Sequence, residues 1–202
     1  MDIPRDIRDG EEFSLEKLKK YLSENSISNE NLSLKQFPSG YSNLTYFLES
    51  SSKQFVLRRP PFGAKSLQGG HDMLREYNVL KNLKSQFGKV PDVFLYCEND
   101  DILGAPFYLM ERVEGYIIRP NLQQKDSPGS DIIQNVSKSL VSTLVELHNV
   151  NIEQANLKDL GNINGYVKRQ VEGWIKRYNH SKTDTIVNMD FISSWLFENQ
   201  PS

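Results

Sequence analysis

Arg58 closes the apolar run Phe55-Val56-Leu57-Arg58, and Glu76 follows inside a helix-forming segment. On an extended strand Val56 and Arg58 point to the same face. On a helix Glu76 lies three residues after Met73 and four before Leu80, at the edge of the apolar stripe Met73, Tyr77, Leu80 and Leu83. A cation at a strand end beside a carboxylate on a packed helix makes an ion pair that orients the guanidinium. That planar fork grips phosphate or carboxylate with two parallel hydrogen bonds. Either residue alone reads more simply as a solvated surface charge. A second feature, Phe37-Pro38-Ser39-Gly40-Tyr41-Ser42-Asn43, joins two strand-like runs. Gly40 lets a backbone approach a ligand closely, and Ser42, Asn43 and the loop amides can donate to phosphate oxygens. This loop matches neither the P-loop nor the dinucleotide glycine pattern. A third feature, Phe107 to Gly115, runs an apolar strand into a break.

The elements that must hold these residues follow from period and punctuation. A helix opens at Ser14 as N-cap, with Leu15, Leu18 and Leu22 on one face. Leu32 to Phe37, Leu44 to Leu48 and Gln54 to Arg58 read as three strands joined by tight turns, the last ended by Pro60 and Pro61. That spacing predicts an antiparallel meander. Phe62 to Gly70 reads as a glycine-bearing loop before a helix from Asp72 to Leu83. Val93 to Cys97 and Phe107 to Glu111 are two more strands, with a polar turn at Glu98 to Asp101 between them. Thereafter the signal is helical. Ser130 caps a helix with Ile132, Val136, Leu140 and Leu144 at four-residue intervals. Tyr166 to Tyr178 turns Val167, Val171, Trp174 and Tyr178 inward, and Met189, Ile192 and Leu196 mark a third helix. His148, Trp174 and Trp195 fall on these stripes and read as core. Strands first and helices afterwards predict an α+β fold or two lobes. The break falls at Val113 to Asn121, where Gly115 and Pro120 interrupt regular structure.

Composition narrows the classes. The 202 residues carry 24 basic and 26 acidic side chains, a balance that gives no attraction for nucleic acid or a membrane surface. No apolar run is long enough to span a bilayer. One cysteine, Cys97, excludes an internal disulfide and makes a cytoplasmic or other reducing intracellular compartment the expectation. Three scattered histidines do not offer zinc-site spacing.

The order of the three features, with the strands and helix between them, resembles the aminoglycoside phosphotransferase family. It is closest to the kinase-like domain fused to some acyl-CoA dehydrogenases. The matching stretches are Ser39 to Tyr46, Val56 to Pro61, Arg75-Glu76-Tyr77, Tyr108 to Gly115, Leu147-His148 and Gly165 to Trp174. The resemblance implies a protein-kinase-like two-lobe fold, with a nucleotide-binding lobe over residues 1–113, a hinge at 111–115 and the first helices of a second lobe over 116–202. It implies that Gly40, Ser42 and Asn43 lie over the phosphates of ATP, and that Arg58 stands where protein kinases have lysine, paired with Glu76. The Glu111 carbonyl and Val113 amide would meet adenine, with Val56 roofing the ring.

The same resemblance calls for His-Gly-Asp followed by Asn, and a further Asp for Mg²⁺; none occurs here in register. Asp159-Leu160-Gly161-Asn162 precedes the Gly165 to Trp174 match instead of following it. The expectation is therefore an ATP-dependent phosphotransferase acting on a hydroxyl of a small molecule. It would be present as a fragment whose catalytic loop and Mg²⁺ ligands lie beyond residue 202, in a fused or downstream segment. Such a fragment would leave the Ile132 and Val167 stripes partly uncovered. The rival is a nucleotide-binding regulatory module without catalysis, and a plain scaffold would leave Arg58, Glu76 and the Gly40 loop unexplained.

Overall fold

The computed structural model describes residues 3–28, 31–38, 42–63, 71–118, 128–162 and 164–200. Gly40, most of the loop from Phe62 to Gly70, and Pro120 lie outside the described residues. The chain divides into two compact units, residues 1–157 and 158–202.

In the first unit, helix α1 (Leu15–Glu24) opens where the Ser14 side chain accepts a hydrogen bond from the Lys17 N–H, at 3.3 Å. Strands β1 (Ser33–Gln36), β2 (Leu44–Glu49) and β3 (Gln54–Arg59) follow, then helix α2 (Met73–Leu83) and strand β4 (Val93–Cys97). A short helix α3 (Asp100–Leu103) leads to strand β5 (Phe107–Glu111). The five strands form one antiparallel sheet in the order β1-β2-β3-β5-β4. The meander is thus present, and β5 inserts between β3 and β4.

Register divides the sheet into two faces. Tyr46 pairs with Leu57, and Leu57 with Leu109. Those residues, with Leu44, Leu48, Phe55 and Phe107, form a buried hydrophobic cluster with Leu18 and Leu22 of α1. Burying side chains of this size stabilises by roughly 1.5–3 kcal/mol each, so α1 is the lid of the sheet's core. On the opposite face Phe47 pairs with Val56, Val56 with Met110, and Arg58 with Tyr108. Helix α2 meets this second face, where Tyr77 approaches the rings of Tyr96 and Tyr108 at 5.8 and 6.5 Å.

Three sequence expectations change. Glu98 to Asp101 is not simply a turn. The Asn99 side chain caps the Asp101 N–H at 2.8 Å, two aspartates favour the helix start, and Gly104 at φ 77° closes α3. Ser130 is the first residue of helix α4 (Ser130–His148) and not its cap. The N-cap is Gly129, without a side-chain bond. Finally, neither α4, α5 (Tyr166–Ser181) nor α6 (Met189–Glu198) buries a residue. His148 is exposed at the end of α4. Trp174 and Trp195 are 64% and 52% exposed, Trp174 being flanked by the Arg177 guanidinium at 4.2 Å. The apolar period fixed the helices and their stripes, but a stripe becomes core only where another element covers it. Cys97 does follow expectation as a buried free thiol.

Tyr46, fully buried against α1, donates to the Glu11 carbonyl at 2.7 Å. Burial pushes its hydroxyl from the ordinary 10.0 up to about 12. The folded chain holds this proton more tightly than the unfolded chain. Its contribution to stability is therefore complete below pH 10 and declines as pH rises toward 12. Tyrosinate absorbance should show a late-titrating group that Tyr46→Phe removes, and the variant should lose less stability than the wild type between pH 10 and 12.

Candidate functional site

Glu76 sits one turn into α2, fixed there by the Asp72 N-cap, whose carboxylate accepts from the Arg75 N–H at 2.9 Å. Its side chain turns back onto the sheet. The Arg58 Nε lies 3.2 Å from Glu76 Oε2, with both side chains about one-third exposed. That N–H does not aim at the oxygen closely enough for a directed hydrogen bond, so the contact is ionic in character. The Tyr108 hydroxyl donates to the same oxygen at 3.0 Å, and the Asn43 Nδ2 donates to Oε1 at 2.7 Å. Because Nδ2 faces the carboxylate, Asn43 Oδ1 faces His71, whose Nδ1 stands 2.7 Å away. An amide oxygen only accepts, so this nitrogen of His71 carries the proton.

The geometry thus assembles a cluster from four places in the chain: the β2 entry, β3, the start of α2, and β5. Arg58, Glu76 and Asn43, all named from sequence, meet here. Tyr108 and His71 complete it. Tyr108 was part of an apolar strand in the sequence, and its hydroxyl gave no separate signal. Alternation alone places it opposite Arg58 once β5 pairs with β3. Burial pushes its hydroxyl pKa well above the ordinary value, Arg58 opposes that rise, and the Glu76 charge and hydrogen bond add to it. The phenol therefore remains a donor to Glu76 at neutral pH.

Asn43 is engaged differently from the expectation. It is buried, and both ends of its amide serve Glu76 and His71, so it positions the cluster instead of facing outward to a phosphate. Ser42 beside it is exposed, and Gly40 lies outside the described residues. Val56 is buried between Phe47 and Met110 on the Arg58 face.

At the far end of β5, the Glu111 N–H donates to the Asp92 carbonyl at 2.8 Å and its carboxylate accepts from the Asp92 N–H at 3.0 Å. Arg112 pins the exit from the strand, stacking over Phe47 at 4.6 Å and donating to Gln54 Oε1 at 2.6 Å. Val113 follows as an exposed residue, and among the described residues nothing accepts from its N–H. Arg112 and Phe47 were not singled out in the sequence, since stacking across a sheet has no local pattern.

An antiparallel sheet with a cation on β3, a carboxylate partner on the next helix, and a fifth strand leading into an irregular exit is the small-lobe arrangement of kinase-like phosphotransferases. The chain belongs to the Phosphotransferase enzyme family, whose profile matches residues 33–202. It is 38% identical over 209 residues to acyl-CoA dehydrogenase family member 11 of Rattus norvegicus, covering 100% of this chain and 26% of that protein. It is 33% identical over 166 residues to acyl-CoA dehydrogenase family member 10 of Mus musculus, covering 82% and 15%. The chain thus spans about a quarter or less of the length of these relatives. A solved structure described as an aminoglycoside phosphotransferase from Ralstonia eutropha superposes with a TM-score of 0.72 at 27% identity, over 94% of this chain and 54% of that one.

Removing either member of the Arg58–Glu76 pair should show coupling. A double-mutant cycle with Arg58→Ala and Glu76→Ala, read by denaturant unfolding, should give about 1 kcal/mol or slightly less for a pair this exposed. Tyr108→Phe should cost about 1 kcal/mol more in wild type than in the Glu76→Ala background.

Proposed function

We propose that this domain binds ATP on the Arg58 face of the sheet, in the service of phosphoryl transfer to a hydroxyl group of a small molecule. The observation that carries this reading is the Arg58–Glu76 pair, 3.2 Å apart on β3 and α2. A guanidinium held at Nε by a carboxylate is preoriented for an anion, and among the described residues no group accepts from its terminal nitrogens. The residues present fit the nucleotide. Arg58 meets phosphate, with Glu76, Tyr108 and Asn43 holding the pair, and the unclaimed Val113 N–H and the Glu111 carbonyl meet the base edge. Val56 supplies apolar surface between them. Bound ATP supplies the phosphoryl group. Among the described residues no cluster of three His, Cys, Asp or Glu side chains could hold a metal ion, so none is assigned to Mg²⁺.

The acceptor is proposed to be a hydroxyl on an acyl-CoA-related molecule. The support is that the relatives bear the name of acyl-CoA dehydrogenases and are much longer than this stretch.

Calorimetric titration separates the roles. Arg58→Ala should weaken ATP binding by about tenfold or more while leaving adenosine binding nearly unchanged, because a charge-assisted contact to phosphate is lost and the base contacts are not. Equal loss for both ligands, or none for either, would remove these assignments.

The 202 residues contain no His-Gly-Asp, and phosphoryl transfer needs an aligned nucleophile and neutralised charge. These residues by themselves should bind ATP without turning it over, in assays of ATP hydrolysis and of transfer to hydroxyacyl and aminoglycoside acceptors. Metal-dependent turnover that disappears in Arg58→Ala would show a complete active site within them.

A further inference from the structure

His71 belongs to the Glu76 cluster without touching the carboxylate. It stands just before the Asp72 N-cap of α2 and is partly buried. Its Nδ1 donates to Asn43 Oδ1 at 2.7 Å, and Asn43 Nδ2 donates to Glu76 Oε1 at 2.7 Å. The other carboxylate oxygen, Oε2, meets the Tyr108 hydroxyl and the Arg58 Nε. The two oxygens of Glu76 therefore have separate holders. Tyr108 and Arg58 hold one, and the Asn43 amide, backed by His71, holds the other.

The polarity of this chain has one solution. Glu76, beside Arg58, is a carboxylate and only accepts. Asn43 must then turn its NH₂ to Glu76 and its oxygen to His71, and His71 must carry its proton at Nδ1. The terminal torsion of an amide side chain is broad and roughly two-fold, so contacts at both ends define it far better than one. Asn43 is buried. Without His71 its oxygen would lose its partner, and a buried acceptor without one is costly. Rotation that relieves this loss draws the NH₂ away from Glu76. In a neutral ring with Nδ1 protonated, Nε2 is an acceptor and cannot donate to a phosphate. The route from His71 to a nucleotide therefore runs through Asn43.

We infer that His71 is a positioning residue of the phosphate grip. In its neutral Nδ1–H form it locks the Asn43 amide, the amide holds Glu76 Oε1, and the carboxylate stays turned with Oε2 toward Arg58. The effect on binding rests on the reading that Arg58 meets the phosphates of ATP, whereas the hydrogen-bond chain does not. The same chain ties the start of α2 to the β2 entry across 28 positions.

The test runs at a pH of about 8.5, above the ordinary imidazole value of about 6.5, so that the variants compared are neutral at position 71. Imidazole ¹⁵N NMR of the chain without nucleotide should show His71 as the Nδ1–H tautomer. The Nε2–H form that an unconstrained side chain favours would overturn the assignment. Three variants then separate position from contact. An Asn amide nitrogen stands as many bonds from Cβ as His Nδ1 does, and a Gln amide nitrogen as many as His Nε2. By calorimetry His71→Ala and His71→Gln should weaken ATP about three- to tenfold with adenosine nearly unchanged, and His71→Asn should restore most of the loss. Undiminished ATP binding in His71→Ala would overturn the proposal. So would rescue by Gln instead of Asn, which would mark a direct contact through Nε2. Without nucleotide, the Arg58 Nε–H signal should move in His71→Ala and return toward the wild-type position in His71→Asn. A signal that ignores both substitutions would break the chain from His71 to Arg58 whether or not ATP binds. A wild-type chain that binds no ATP would instead remove the nucleotide reading, with the tautomer and the Arg58 signal still deciding the role of His71.

Discussion

The carboxylate of Glu76 is the point at which the small lobe closes on itself. A half-buried carboxylate has acceptor capacity to fill. Here Asn43 at the β2 entry and Tyr108 on β5 donate to it, and Arg58 on β3 supplies the opposite charge. Each contact is modest, of the order of 1 kcal/mol. Their joint effect is geometric. Three sheet residues far apart in sequence fix the height and rotation of α2, and α2 in return fixes Arg58. Loss of the carboxylate would leave a half-buried cation and two polar side chains without their common partner, which is costlier than any one contact suggests.

Strand β3 carries the second constraint. Because side chains alternate, Val56 and Arg58 belong to the α2 face while Phe55, Leu57 and Arg59 belong to the α1 face. Adjacent arginines thereby acquire different environments. Arg58 is partly solvated and paired. Arg59 is buried, stacked on Phe62 and, among the described residues, short of acceptors. A one-residue slip of β3 would exchange them and place a charge in the apolar cluster. The hydrophobic fit of Phe55 and Leu57 against α1 therefore specifies which arginine meets Glu76.

Sheet, helix cap and ion pair were legible in the sequence because their signals are local. Val93 to Cys97 and Phe107 to Glu111 are short apolar runs bounded by turn residues, and Ser14 precedes an apolar stripe at helical spacing. The Arg58–Glu76 pair could be read because strand and helix geometry fix where each side chain points. What stayed hidden depends on distant partners. Asn43, His71 and Tyr108 meet Glu76 or one another across 28 to 33 positions. The burial of Arg59 contradicts what its charge suggests. Trp174 and Trp195 lie on stripes whose period says helix and says nothing of a covering layer. Membership in the Phosphotransferase enzyme family adds the class of protein. It does not supply the phosphate acceptor.

The central claim is that Glu76 holds Arg58 for a phosphate. The direct measurement is the ¹H–¹⁵N signal of the Arg58 Nε–H, assigned by its loss in Arg58→Lys, while a non-hydrolysable ATP analogue is added. The account predicts a saturable shift with the analogue and a much smaller one with adenosine, and a Glu76→Gln variant in which the analogue's shift is reduced. An Arg58 signal that stays fixed while the amides of residues 111–113 respond would contradict it.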